Sequence, residues 1–278
     1  MSELIPRHVR RRLAALRREQ LSAGAEPGSA PPPPATEPTR GPAPAVRLRI
    51  EAPTTLPPGE ELETEQGPCL SFRLAPGHAH TAYEPWLAQA LTDLAGHPLP
   101  VGPRHEALYL DLETLGLSGV PVFLVGLLHV GPGGFHLHQF LARDYSEEAA
   151  LLLAIQPLLA GVRCLLTYNG RSFDWPFLRD RCALYGLPLP PEPRHVDLLH
   201  LARKCCRGFL PNCSLGTVES HLLGVERCDD VPGHLIPDLY HRAVAEDNLQ
   251  LLAPVLHHNQ LDLLTLACLT ALWREHLQ

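Results

Sequence analysis

Two carboxylates stand at the end of an apolar run: Asp111 and Glu113, in Ala-Leu-Tyr-Leu-Asp-Leu-Glu-Thr-Leu-Gly-Leu over residues 107–117. In a strand, residues i and i+2 point to the same face. Two anions held that close are costly unless a cation lies between them. Asp174 follows a turn signal, Tyr168-Asn169-Gly170, and begins a helical pattern with Pro176 in its first turn. Asp262 sits in a helical stretch among apolar neighbours, where an ionised carboxylate needs a partner or a metal. His258 lies four residues before Asp262 and shares its helical face; His257 lies five before. Asp174 also admits a plain reading as a helix N-cap. Asp197, before another helix, reads as a cap or as a fifth carboxylate ligand.

The chemistry that uses such a set is phosphodiester hydrolysis with two divalent cations. Two metals ~3.5–4 Å apart activate a water and stabilise the leaving oxygen. Hard oxygen ligands suit Mg²⁺ or Mn²⁺. In that scheme Asp111 bridges, and Glu113, Asp174 and Asp262 complete the cage. A neutral histidine beside them, His258 or His257, takes the proton from the attacking water.

The elements that must position these groups follow an α/β rhythm. Strands are expected over 107–111, 121–130 and 135–141, joined by short turns as an antiparallel meander. A helix over 146–159 follows, with Ser146 as N-cap. A buried strand over 162–167, a helix over 174–185 and a short strand at 195–197 come next. Helices over 198–206 and 214–223 precede a helical tail over 236–278, with breaks near Asp247 and Pro254. Together these make a mixed five-stranded sheet flanked by helices, the ribonuclease H-like order.

The rest of the chain is different in kind. Residues 1–50 hold nine Arg and four Glu, a net of +5, so the other residues carry −12 of the overall −7. A basic helix is expected over 1–21, as an arm for phosphates or a protein partner, or simply as a solvated end. Residues 22–60 are proline-rich, with the run Pro31-Pro32-Pro33-Pro34, and read as a disordered linker. The folded domain is then 61–278, with its core at about 106–275. No apolar run reaches the ~18 residues of a membrane helix. Eight Cys without regular spacing, and no CxxC pair, indicate free thiols in a reducing, cytoplasmic setting. The acidic domain argues against a broadly basic groove and mildly favours a single strand or 3′ end over a long duplex.

The block Asp111-Leu112-Glu113-Thr114-Leu115, then Tyr168-Asn169-Gly170 with Phe173-Asp174, then His258-Asn259 with Asp262, resembles the DEDD exonuclease superfamily. The likeness is greatest to the YprB-type ribonuclease H-like proteins, supported by Asp230-Val231-Pro232-Gly233 with Tyr240, and by Val196-Asp197-Leu198-Leu199 with Ser214-Leu215. It spans about residues 106–275. The resemblance implies a ribonuclease H-like fold and metal-dependent hydrolysis of nucleic acid from a 3′ end, with Asp111, Glu113, Asp174 and Asp262 as ligands. Thr114 and Leu115 match positions that contact the terminal nucleotide, with Asn169 beside them; Leu115 stands where many proofreading relatives have Thr. The His-Asn pair favours His258 over His257 as general base. A non-catalytic binding module of the same fold, or an endonuclease, is the alternative.

Overall fold

A computed structural model describes residues 48–74, 107–131 and 134–277. The expected basic helix, and the linker up to residue 47, lie outside the described residues.

Among the described residues seven strands form one sheet: β2 (Glu60–Thr64), β3 (Gly67–Leu74), β4 (Ala107–Thr114), β5 (Val122–Gly131), β6 (Gly134–Leu141), β7 (Cys164–Thr167) and β8 (Arg194–Asp197), in the order β2-β3-β6-β5-β4-β7-β8. The pairs from β2 to β4 are antiparallel, and β4–β7 and β7–β8 are parallel. The five strands expected from sequence are all present. The sheet is larger than expected because the β2–β3 hairpin adds two strands beside β6. Its strongest local signal is the turn: Gly67 has φ +106°, and the Thr64 hydroxyl donates to its carbonyl at 2.8 Å.

A separate two-stranded parallel ribbon joins β1 (Leu48–Glu51) to β9 (Val225–Cys228). The range 22–60 expected as linker therefore ends in structure. Ile50 is buried among Val225 and Leu222, a single inward residue that its proline-rich surroundings conceal in the sequence.

Helices cover both sheet faces. On the face of Leu108, Leu110 and Leu112 lie α1 (Glu148–Ala154), α2 (Gln156–Leu159), α3 (Asp174–Leu184) and α6 (Ile236–Ala245), whose apolar residues share a core with them. On the face of Tyr109, α4 (Leu198–Cys206), α5 (Leu215–Leu222) and α7 (Ala253–Leu272) do the same. At about 25 cal/mol per Å² of apolar area removed from water, these two layers are the main stabilising contribution.

The helix expected over 146–159 is broken in two. Pro157 in the first turn of α2 lacks the amide that would continue the hydrogen-bond ladder. Ser146 does not cap it: Asp144 accepts both its amide at 2.7 Å and its hydroxyl at 2.6 Å. The expected breaks in the tail are present. Asp247 has φ +49°, and Pro254 occupies the first turn of α7, where its missing amide costs nothing. No helix among the described residues is long and apolar enough to cross a membrane.

Candidate functional site

β4 runs three residues beyond its expected end, so Asp111 and Glu113 lie within the strand. Both belong to the face covered by α7. The register slips between Glu113 and Thr114, a bulge of the kind that re-aims side chains. Thr114 spends its hydroxyl on the Gly116 carbonyl at 2.7 Å, and the Leu115 amide donates to the Pro121 carbonyl at 3.1 Å. The turn that ends β4 is thereby fixed beside the two carboxylates.

Asp174 does not cap its helix. Phe173 is the N-cap residue, and Asp174 instead accepts the Leu112 amide at 3.1 Å, tying α3 to β4. Asp262 comes from α7. The four carboxylates, from three elements, lie within electrostatic reach of one another. Burial, then Asp262, Glu113 and Asp174, pushes Asp111 well above the ordinary carboxylate range. Burial, then Asp262 and Asp174, does the same to Glu113. Asp174 is pushed up to about 7, mainly by burial and partly restrained by backbone amides. Removing water and crowding like charges both disfavour ionisation.

The two histidines go to different places. His258 Nδ1 lies 2.9 Å from Asp230 Oδ1, and its Nε2 lies 3.6 Å from Asp262 Oδ2. Burial opposes its charge, but Asp262 and Asp230 outweigh burial and push the imidazole up to about 9. His257 points elsewhere, into a cavity of about 570 Å³ with Leu56, Phe72 and Gln260 among its walls.

Three neighbours escaped the sequence reading as site residues. Asp230, just after β9, meets His258 and accepts Arg227 Nη1 at 3.4 Å. Burial works against its charge, yet His258 and Arg227 hold it below its ordinary value. Arg227 of β9 places Nη1 2.6 Å from Asp262 Oδ1 while its Nε and Nη2 donate to Glu219 at 2.7 and 3.0 Å. Asn259 of α7 donates to Asp111 Oδ2 at 2.8 Å. Asp230 had a sequence signal in the Asp-Val-Pro-Gly stretch, and Asn259 had one in the His-Asn pair, though neither was given a role in the site. Nothing local marks Arg227 as the partner of Asp262.

Asn169 sits on the turn after β7 with φ +70°, exposed, and lines a cavity of about 400 Å³ with Tyr168, Leu199, Arg203 and Leu215. Asp197 holds that turn. Its carboxylate accepts the amides of Asn169 at 2.8 Å and Arg171 at 3.3 Å, and it caps α4 through Leu199 N at 3.0 Å.

The donor chemistry of Asp111, Glu113, Asp174 and Asp262 fits a hard divalent cation, and their mutual repulsion is what such a cation would relieve. Among the described residues no three His, Cys, Asp or Glu side chains already stand as a formed ligand shell. Asp262 is engaged by Arg227 instead.

A mixed sheet with helices on both faces, and acidic residues from β4, α3 and α7 gathered near the end of β4, is the arrangement of a ribonuclease H-like protein. The chain belongs to the ribonuclease H superfamily: the RNase_H_2 family model, described as RNase_H superfamily, matches residues 108–274, more than half of its length. Within it the likeness is to YprB-type proteins. The uncharacterized protein YprB of Bacillus subtilis (strain 168) is 39% identical over 173 residues, which cover 60% of this chain and 41% of that protein. This chain therefore matches less than half the length of that relative. Among solved structures, a family B DNA polymerase from the hyperthermophilic archaeon Pyrobaculum calidifontis is similar with a TM-score of 0.47 at 16% identity, covering 59% of this chain and 24% of that one. E. coli Exonuclease I, in complex with a dT13 oligonucleotide, gives a TM-score of 0.37 at 18% identity, covering 54% of this chain and 42% of the other.

Proposed function

We propose that this chain is a divalent-metal-dependent nuclease that removes nucleotides from the 3′ end of a nucleic-acid strand. The observation that carries the reading is the gathering of Asp111, Glu113, Asp174 and Asp262 from β4, α3 and α7, close enough that burial and the neighbouring charges raise the proton affinity of Asp111, Glu113 and Asp174. Structural carboxylates are normally paired with cations; Asp262 has Arg227, and the crowding of Asp111, Glu113 and Asp174 beside it is what a cation from solution would relieve. Membership of the ribonuclease H superfamily supports it.

These four side chains would hold two Mg²⁺ or Mn²⁺ ions, which supply an activated water and charge stabilisation at the phosphate. The chain's own residues do the rest. Asp174 braces β4 against α3 through Leu112 N. His258, set between Asp230 and Asp262, would be the group that exchanges a proton at Nε2; the two carboxylates favour its charged form, not the neutral one expected from sequence. The turn at Thr114 and Leu115, and Asn169 on the neighbouring strand end, flank the carboxylates as contacts for the terminal nucleotide.

The ion pair between Arg227 and Asp262 favours a second reading, a module that binds nucleic acid without cutting it, because part of the negative charge already has an internal partner. One experiment separates the readings. The protein with Mn²⁺ is given a linear single strand and a circle of the same sequence. Shortening of the linear strand alone supports the exonuclease. Cutting of the circle indicates an endonuclease, and retention of both strands intact indicates a binding module.

A further inference from the structure

Asp111, Gly126 and Gln139 form one cross-strand row. Asp111 pairs with Gly126 between β4 and β5, and Gly126 pairs with Gln139 between β5 and β6. Directly opposed residues share a sheet face, so the row presents a carboxylate, a gap and a carboxamide toward α7. Asn259 of α7 fills the gap. It is fully buried, and a Cβ added at Gly126 would come within 2.1 Å of its Oδ1. The missing side chain is what admits the amide.

The polarity of this chain of hydrogen bonds has a single solution. The Leu256 carbonyl is an acceptor only. It takes a hydrogen from Gln139 Nε2 at 2.7 Å, which fixes that end of Gln139 as the amine. The same nitrogen donates to Asn259 Oδ1 at 2.8 Å, so Asn259 must turn its amine to the other side. There Nδ2 donates both its hydrogens to one residue: to Asp111 Oδ2 at 2.8 Å and to the Asp111 carbonyl at 3.2 Å. The Asp111 carboxylate is thus locked to its own backbone through one external donor. Gln139 is 1% exposed and Asn259 is fully buried, so both amides are withdrawn from bulk solvent.

We infer that Asn259 is a positioning residue for Asp111, oriented by Gln139 and accommodated by Gly126. This rests on the proposed nuclease reading. Asn259 does not touch the substrate; it fixes the rotamer of Asp111, so that this one carboxylate is already in place when a cation arrives. A loose carboxylate would weaken cation binding and slow the reaction without altering how the strand is held.

The test uses the full chain and four variants: Asn259→Ala, Asn259→Leu, Gly126→Ala and the double variant Gly126→Ala/Asn259→Ala. Thermal melts and circular dichroism establish folding. Mn²⁺ affinity is measured by calorimetry without nucleic acid, and kcat and KM on a 5′-labelled oligonucleotide. The single variants at 259 are expected to weaken Mn²⁺ binding and lower kcat by about tenfold or more, with KM changed less than about threefold. Gly126→Ala is expected to reproduce that pattern by displacing the amide. The double variant is expected to be close to Asn259→Ala, because alanine at 259 removes the contact with the amide and leaves only the flexible Cδ1 end of Leu263, at 2.8 Å, to give way. Folded variants with wild-type Mn²⁺ affinity and kcat would overturn the inference. Failure of both Asn259 variants to fold would also overturn it, leaving a structural role alone. A wild-type protein that neither binds Mn²⁺ nor cleaves would overturn the nuclease reading itself, a result visible before any variant is made.

Discussion

Arg227 and Asp262 meet at 2.6 Å, guanidinium to carboxylate, at the edge of the acidic cluster. The arginine is anchored from behind by Glu219, which is 1% exposed and also receives the Thr265 hydroxyl. A buried carboxylate that loses its cation is left with a large desolvation cost. Arg227→Gln is therefore expected to destabilise the fold by about 3–5 kcal/mol, the usual cost of breaking a buried pair. Glu219→Gln combined with Arg227→Gln should cost much less than the sum of the single changes. Urea unfolding of the four proteins gives the coupling; additive losses would show that Glu219 is held by something other than Arg227.

Asp174 supplies a pH dependence with a definite sign. Its carboxyl is pushed up to about 7 in the folded protein, while an unfolded Asp titrates near 4. A group with a raised folded-state value stabilises the fold below the unfolded value, and that stability is lost as pH rises through the folded one. Without added metal, the wild type should lose stability relative to Asp174→Asn between about pH 4 and pH 7, by an amount on the order of 4 kcal/mol. Asparagine keeps an acceptor for the Leu112 amide. Melting curves of both proteins in chelator across that range check it, and parallel pH profiles would refute the assignment. Adding Mn²⁺ at pH 8 should return most of the lost stability to the wild type.

Asp197 is expected to be structural. Its carboxylate serves three backbone amides, at Asn169, Arg171 and Leu199, and it is itself buried. Asp197→Ala removes a helix cap, worth roughly 0.5–2 kcal/mol, and leaves further amides without their acceptor. A loss of at least about 2 kcal/mol by urea unfolding is expected, with Mn²⁺ affinity unchanged in the folded fraction. Weakened Mn²⁺ binding in a folded variant would instead make Asp197 part of the cation site.

Much of the fold was legible because it is written locally. Alternation places Asp111 and Glu113 on one face of β4, and Gly and Pro mark the ends of α3 and the start of α7. The β2–β3 hairpin and β1 were not legible: Glu60–Thr64 is mostly polar, and Ile50 is a single buried residue after a proline-rich stretch. Helix spacing separated His258 from His257, since only the i,i+4 residue reaches Asp262. What the sequence could not reveal is pairing at long range. Arg227 joins Asp262, Asp230 joins His258, and Gln139 sets Asn259 across 120 positions, relationships that exist only once β6, β9 and α7 have packed.

The nuclease reading meets its most direct trial in a single-strand digestion. A 5′-labelled oligonucleotide incubated with the purified chain and Mn²⁺ or Mg²⁺ is expected to yield a ladder shortening from the 3′ end. Chelator should stop it, and Asp111→Ala and Asp262→Ala should each reduce it by about a thousandfold, the loss expected if several kcal/mol of metal-supplied stabilisation disappear. Cleavage that persists at the wild-type rate in both variants would contradict the assignment of the site.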